Sequence, residues 1–322
     1  MIQPARFKVL IAVDGSHAAL DAVRYAASIL DPKCCDLTLL HILTRVPESF
    51  IDSEQLAGYK YRIVSVEAWE QQQEGIINDF MVRARSVLSE AGFPEEAVTI
   101  RVEDRKVGIA RDIAAESQNG YAALVVGRRG ISELKDFMLG SIAHKILQLV
   151  RIPIWVVGGP HRPEKILMCL DNSEGAMLAT RHLAQIICGS TRGRITLFYV
   201  NRGFGKFRQF VSEVFAVQDD KKSAEGIIEK DLIQAAKLLE PAFDKARDVL
   251  VKGGMDSSAI DKKIVSGGSN AGNDIITEAE KGGYDTIVIG RRGLSRVEEF
   301  LMGRVSSRVI NLAKEKTVWV VS

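Results

Sequence analysis

Two glycine-rich segments are the part of this sequence best suited to chemistry. Gly127-x-x-Gly130 is followed after nine residues by Gly140, and Gly290-x-x-Gly293 is followed after nine residues by Gly303. Glycines let the backbone approach a ligand with no Cβ in the way. The amino terminus of a helix adds unpaired N–H donors and a partial positive charge. The first segment follows an apolar run, and Gly140-Ser141 opens a predicted helix, so this arrangement predicts a cradle for an anion such as phosphate.

A simpler interpretation of the motif is that its glycines serve only a tight turn and close helix packing, which is common for a single G-x-x-G pair. The identical spacing in two copies favours a role in binding. The motif is neither a Walker A loop nor a Rossmann fingerprint, because the chain has no G-x-x-x-x-G-K-[ST] segment and no G-x-G-x-x-G at these places. Ser141, in the first helical turn, can cap the helix or donate to a phosphate oxygen.

The repetition extends far beyond the glycines and indicates a duplication. Three further pairs of segments match between the copies: 9–16 with 166–173, 124–126 with 287–289, and 154–157 with 318–321. Each copy is about 160 residues long, which is an ordinary domain size.

The pattern of apolar runs predicts the elements that position these glycines. In the first copy it predicts strands near 8–13, 36–42, 98–102, 122–126 and 153–157, and helices near 17–30, 62–91, 108–119 and 140–150. In the second copy it predicts strands near 165–170, 194–200, 260–265, 285–289 and 317–321, and helices near 174–188, 221–252, 270–281 and 303–313. Strands that are apolar throughout are typical of parallel sheets covered on both faces. The fold class is therefore α/β with two tandem domains, 1–158 and 165–322, joined by a linker over 159–164 that contains Pro160 and Pro163.

Composition excludes several classes of partner. The net charge of +2, from 43 basic and 41 acidic residues, gives no footprint for nucleic acid. The apolar run Val9 to Val13 is ended by Asp14 and is too short for a signal sequence or a membrane span. The four cysteines show no metal-ligand spacing, which predicts a reduced, cytoplasmic protein.

Other conspicuous residues are assigned structural roles. His144 follows Ser141 by one helical turn, but no orienting acid accompanies the pair. We expect Trp155 and Trp319 to be core or interface aromatics rather than ligand platforms. The stretches 44–60 and 201–220 follow the second strand of each copy, where they could tune specificity or be variable surface loops.

These residues resemble the universal stress protein family, in its tandem form with two domains in one chain. The resemblance rests on the opening strand with Asp14-Gly15-Ser16, on G-x-x-G-x₉-G-[ST] and on the closing apolar strand, and it covers nearly the whole chain. It implies a five-stranded open parallel sheet in each domain, Rossmann-like, with helices on both faces. It also implies an intramolecular pseudo-dimer in which strands 153–157 and 317–321 meet, with a further homodimer left open. Nucleotide-binding members of the family hold ATP at this motif, and other members lack the motif.

The resemblance also implies roles for individual residues of the first copy. Asp14 would reach the ribose or adenine, with Ala12 and Val13 as backbone neighbours, and Ile42 would pack on the adenine. Ribose and phosphates would be surrounded by Gly127, Arg129, Gly130, Gly140 and Ser141, with backbone N–H groups from Ile142 and Ala143. Family members often carry a second hydroxyl at the position of Ala143, so one phosphate contact is missing here.

The second copy keeps most of the corresponding positions: Asp171, Val200, Gly290, Arg292, Gly293 and Gly303. Arg304 stands where the family has Ser or Thr, while Ser306 supplies the later hydroxyl. A cation in the first helical turn opposes the helix dipole unless an anion is bound there. Arg304 would therefore either hold a phosphate or close the pocket.

The function implied by the resemblance is stress-response binding of an adenine nucleotide, ATP or else ADP or AMP, as a sensing or regulatory ligand. Mg²⁺ would be held through the phosphates only, and no protein partner is identified. The alternatives are a slow ATPase or adenylyl-transfer enzyme and a nucleotide-free interaction module. An enzyme needs a positioned base or a carboxylate metal site, which Asp14 alone does not supply, so no catalytic or metal-binding residue is assigned.

Overall fold

The structure, a computed structural model, describes residues 6–45, 59–130, 139–159, 164–187, 193–201, 221–268, 270–293 and 302–322. The chain divides into two compact units, Met1–Val157 and Gly158–Ser322. Each unit is a parallel sheet with helices packed on it.

The first unit alternates strands and helices. Its strands are β1 (Phe7–Ala12), β2 (Cys35–Leu43), β3 (Val98–Asp104), β4 (Tyr121–Gly127) and β5 (Ile154–Val157). Its helices are α1 (His17–Ile29), α2 (Tyr59–Glu90), α3 (Ile109–Glu116) and α4 (Ser141–Leu149), with a short 3₁₀ turn at Glu95–Ala97. The strand order is β3-β2-β1-β4-β5, and all of these neighbours are parallel. The order reverses between β1 and β4, and such a switch point opens a crevice at the carboxyl ends of the strands.

The second unit repeats this arrangement. Its strands are β6 (Lys165–Cys169), β7 (Arg194–Asn201), β8 (Ile260–Ser266), β9 (Thr286–Gly290) and β10 (Thr317–Val321). Its helices are α5 (Glu174–Ile187), α6 (Lys221–Lys252), α7 (Ala271–Lys281) and α8 (Arg304–Leu312), with a 3₁₀ turn at Ser257–Ala259. The order β10-β9-β6-β7-β8 places its switch point between β6 and β9.

Apolar side chains from both faces of the sheets form the cores. The central strands carry the apolar runs of the sequence: Val9, Leu10 and Ile11 of β1 are buried, as are five of the seven residues of β4. Trp155 is fully buried and meets Tyr25 edge-to-face at 6.3 Å between ring centroids. The second unit places His182 against Trp319 in the same way, at 5.6 Å.

The structure confirms the predicted fold class, with five parallel strands in each unit and the predicted alternation of elements. Residues 160–163 of the predicted linker and most of the stretches 44–60 and 201–220 lie outside the described residues. The linker, and the expectation that the two closing strands meet, stay predictions. Within the described ranges, none of the helices combines the length and the apolar character needed to span a bilayer.

The buried imidazole of His182 should make the second unit sensitive to acid. Burial lowers the pKa of His182 from the usual 6.5 to about 3. Between these two values the unfolded chain binds a proton that the folded chain does not, so stability is full above pH 6.5 and falls with pH below it. At about 1.4 kcal/mol per pH unit, the free energy of unfolding should drop by about 2 kcal/mol between pH 6.5 and pH 5.

His182→Phe should remove this part of the acid sensitivity. Urea unfolding of wild type and variant at pH 7 and at pH 5 measures the difference. Equal acid destabilisation of wild type and His182→Phe would contradict the assignment.

Candidate functional site

Asp14 begins the turn after β1, at the switch point of the first sheet. Its Oδ1 accepts a hydrogen bond from Ser16 N at 3.0 Å, and Ser16 Oγ in turn caps α1 by accepting from Ala19 N at 3.1 Å. Gly15 between them has φ +85°, a left-handed conformation that side chains other than glycine rarely adopt. These contacts fix the direction in which the Asp14 carboxylate points.

The loop after β4 lies directly against that carboxylate. A Cβ added to Gly130 would overlap Asp14 Oδ2, so the two residues are in contact and a side chain at position 130 would have to displace the carboxylate. A Cβ on Gly127 would lie 2.8 Å from the carbonyl of Ala18, because the first turn of α1 approaches the end of β4 closely. Both glycines are therefore required by close approach of other groups.

Gly140 brings the start of α4 to the same loop. Its N–H donates to Arg128 O at 2.9 Å, and a Cβ at Gly140 would lie 3.5 Å from the Cα of Arg129. Gly140 occupies the N-cap position of α4 and, among the described residues, no side chain caps this helix. The first N–H groups of α4, from Ser141, Ile142 and Ala143, thus stand at the end of a loop that also carries Gly130.

The two arginines of the motif differ in their exposure to solvent. Arg128 is buried, and burial together with the charge of Arg129 lowers its pKa to about 10. Arg129 and Ser141 are exposed. Of the pair, Arg129 is therefore the side chain that solvent or a ligand can reach.

The second unit builds the same turn and loop. Ser173 N donates to Asp171 Oδ1 at 2.9 Å, and a Cβ on Gly293 would lie 2.6 Å from Asp171 Oδ2. Gly303 N donates to Arg291 O at 3.0 Å, and Gly303 is the N-cap of α8. In each copy the aspartate after the first strand thus lies against the second glycine of the motif, at the carboxyl edge of the sheet.

The two cradles differ in their hydroxyl groups. Ser306 is buried and donates its proton to Gly290 O at 2.8 Å, whereas Ala143 holds the corresponding position in the first unit. Arg304, the first residue of α8, is exposed. A Cβ on Gly175 would overlap Arg292 O, so the second loop lies close to the first turn of α5.

Comparison with known proteins agrees with this geometry. A model of the universal stress protein family matches residues 6–158 and again residues 163–322. The chain belongs to the universal stress protein family. Its relative YxiE, a universal stress protein of Bacillus subtilis, is 29% identical over 154 residues, which are 47% of this chain and 97% of that protein.

Solved structures show the same fold over the whole chain. A universal stress protein from Archaeoglobus fulgidus is similar over 98% of both chains, with 17% identity and a TM-score of 0.56. A functionally unknown protein from Pseudomonas aeruginosa is similar over 98% of this chain and 92% of that one, with 15% identity and a TM-score of 0.54.

The end of β2 lies beside the Asp14 turn of this universal stress protein. Ile42 is buried there, and Val200 is buried at the corresponding place on β7. His41 precedes Ile42, and its Nδ1–H donates to Val13 O at 2.9 Å. Burial lowers the pKa of His41. Sequence reasoning missed this histidine, because neither its spacing nor its neighbours indicate that it would reach the backbone of another strand.

An open cavity of about 190 Å³ lies at the carboxyl ends of β2 and β3. Its lining combines apolar and polar residues: Leu43, Ile77 and Val102, with Arg45, Glu74, Asn78 and Asp104. Ile77 also lies 3.2 Å from the position of a Cβ on Gly15, so the cavity adjoins the Asp14 turn.

His144, which follows Ser141 by one helical turn, interacts with its own helix. The His144 ring pairs with the Gln148 amide at 3.1 Å on the surface of α4. Over the part of the chain that the structure describes, no three His, Cys, Asp or Glu side chains are grouped so that they could hold a metal ion.

Proposed function

We propose that the first repeat of this universal stress protein binds an adenine nucleotide, ATP in preference, as a sensing or regulatory ligand. The observation that carries the proposal is the contact between Asp14 and Gly130 at the switch point, beside a helix start that no described side chain caps. This combination supports the proposal, because a carboxylate can accept from ribose hydroxyls and the N–H groups of a helix start can donate to phosphates.

The phosphates would bind at the start of α4. The N–H groups of Ser141, Ile142 and Ala143 and the positive end of the helix favour an anion. The exposed Ser141 hydroxyl and Arg129 guanidinium can add charge-assisted hydrogen bonds. Nucleotides with more phosphates should therefore bind more tightly, in the order ATP, ADP, AMP.

The nucleoside would lie on the other side of the motif. Asp14 accepts from ribose hydroxyls, and the absence of a side chain at Gly130 leaves room for the sugar next to the carboxylate. Ile42 offers an apolar contact to the base. Mg²⁺ would be held by the phosphates, and Asp14 would lie on the ribose side.

Gly130→Val should abolish ATP binding to the first repeat. The branched side chain would take the space between Asp14 and the sugar, while the strands of the unit remain intact. Calorimetric titration with ATP, together with thermal unfolding of the variant, measures both effects. Gly293→Val is the matched control, because it alters the same contact in the second repeat and should leave ATP binding to the first repeat intact. Wild-type affinity in Gly130→Val would rule out this site.

We further propose that the first repeat is the tighter of the two cradles. It presents Ser141, whereas the second repeat carries Arg304 there and commits the Ser306 proton to the Gly290 carbonyl. A hydroxyl proton that is already donated to a backbone carbonyl is not available to a phosphate oxygen. The two repeats therefore offer different donors to the same ligand.

Ser141→Ala should weaken the tighter site about tenfold or more, because one charge-assisted hydrogen bond contributes about 1.5–3 kcal/mol. Arg304→Ser should leave that site unchanged and alter only the second one, raising its affinity if Arg304 closes the pocket and lowering it if Arg304 holds phosphate. Titration of each variant with ATP measures the effect. Two equal sites in wild type, with both substitutions silent, would show that the repeats do not differ in this way.

A further inference from the structure

One carboxylate holds the loop that follows β3, residues 105–108. Asp112 Oδ2 accepts from Lys106 N at 2.9 Å and from Gly108 N at 3.3 Å, and Oδ1 accepts from Val107 N at 3.1 Å. Desolvation acts to raise the pKa of Asp112, but these backbone donors hold it below its usual value. Three consecutive N–H groups thus donate to one side chain, which restrains the backbone of the loop.

The helix that carries Asp112 is anchored in turn. Glu116, one turn further along α3, is buried, accepts from Tyr121 OH at 2.7 Å and pairs with Arg101. Tyr121 belongs to β4 and Arg101 to β3, so α3 is tied to two strands. Asp112 therefore connects the loop to a helix that is itself anchored to the sheet.

The loop leaves the sheet at the same edge as the candidate site. Leu43 of β2 is paired with Asp104 of β3, and Arg105 N extends this ladder by donating to Leu43 O at 2.8 Å. The strand order β3-β2-β1 puts the loop two strands away from the strand that leads to Asp14. At about 4.8 Å per strand, the separation across the sheet is about 10 Å.

The direction of a bound nucleotide follows from the strand order. The phosphate cradle follows β4, which lies on one side of β1. With the ribose at Asp14 above β1, the base must extend to the opposite side, over the ends of β2 and β3. The open cavity lies at those two ends, with Leu43 and Val102 in its wall.

Val107 is the apolar side chain that the fixed loop presents. Its side chain is 67% exposed although its backbone is held by Asp112. A rigid, exposed apolar group at the rim of a binding crevice gains contact with a ligand at little cost in conformational entropy.

We propose that the loop 105–108 forms a wall of the base subsite, in which Val107 contacts the adenine ring and Asp112 is the positioning residue. This inference rests on the proposed nucleotide binding and adds the residues that favour a base-bearing ligand over a bare polyphosphate.

The second repeat supplies a natural comparison. Asp274 accepts from Gly268 N at 2.9 Å, so the carboxylate clamp is present there too. At the position of Val107 the second copy has Ser269 in its sequence. Both repeats have the carboxylate clamp, but only the first has an apolar residue at this position. Val107→Ser therefore gives the first repeat the residue that the second repeat has.

The test compares two ligands, ATP and inorganic tripolyphosphate, by calorimetric titration of the full chain. Val107→Ser should weaken ATP about threefold to tenfold, since part of an apolar contact is lost, and should leave tripolyphosphate unchanged. Val82→Ser is the control, because Val82 is 69% exposed on α2 and should affect neither ligand. Unchanged ATP affinity in Val107→Ser, or an equal loss for both ligands, would overturn the inference.

Asp112→Asn tests the positioning role separately. It should also weaken ATP and spare tripolyphosphate, and it should speed amide hydrogen exchange at 106–108, whereas Asp274→Asn should leave ATP affinity at the tighter site unchanged. Unaltered ATP affinity in Asp112→Asn would remove Asp112 from the proposal. If Gly130→Val abolishes ATP binding while Val107→Ser has no effect, nucleotide binding stands and only this inference fails. A wild-type chain that binds no ATP overturns both.

Discussion

The contact between the Asp14 carboxylate and the α-carbon of Gly130 is the constraint on which the candidate site depends. The carboxylate accepts from the N–H of Ser16, and a side chain at position 130 would have to displace it and break that bond. The second repeat has the same constraint between Asp171 and Gly293. Glycine in the motif is thus required by a neighbouring acid at the crevice, where backbone and ligand would share the space.

Much of the fold could be predicted from the sequence because the determining signals are local. Unbroken apolar runs identified β1 and β4, and the repeated glycine spacing identified the loop after β4 and the start of α4. The resemblance assigned Asp14 and Gly130 to one site, but their direct contact was not predicted, since the residues are 116 positions apart. The bond from His41 to Val13, the clamp of Asp112 on its loop and the use of the Ser306 proton were not predicted. Each depends on strand register or on the direction of a side chain, and the pattern of residue types along the sequence determines neither.

The two repeats preserve the sheet and differ where a ligand or a core aromatic would be affected. Tyr25 of the first unit corresponds to His182 of the second, and both rings meet a buried tryptophan. The starts of α4 and α8 carry their hydroxyl groups at different positions. Ser141 corresponds to Arg304, and Ala143 corresponds to Ser306. The first residue of the helix is an exposed serine in the first repeat and an exposed arginine in the second.

The most direct measurement is the change in backbone amide chemical shifts of the isotope-labelled chain on addition of ATP. The account expects the largest changes at Asp14, Gly130 and the first turn of α4, with smaller changes at the corresponding residues of the second repeat. Saturating ATP that leaves the amides of Gly130 and Ser141 unmoved, or that shifts only residues far from the carboxyl edge of the first sheet, would contradict it.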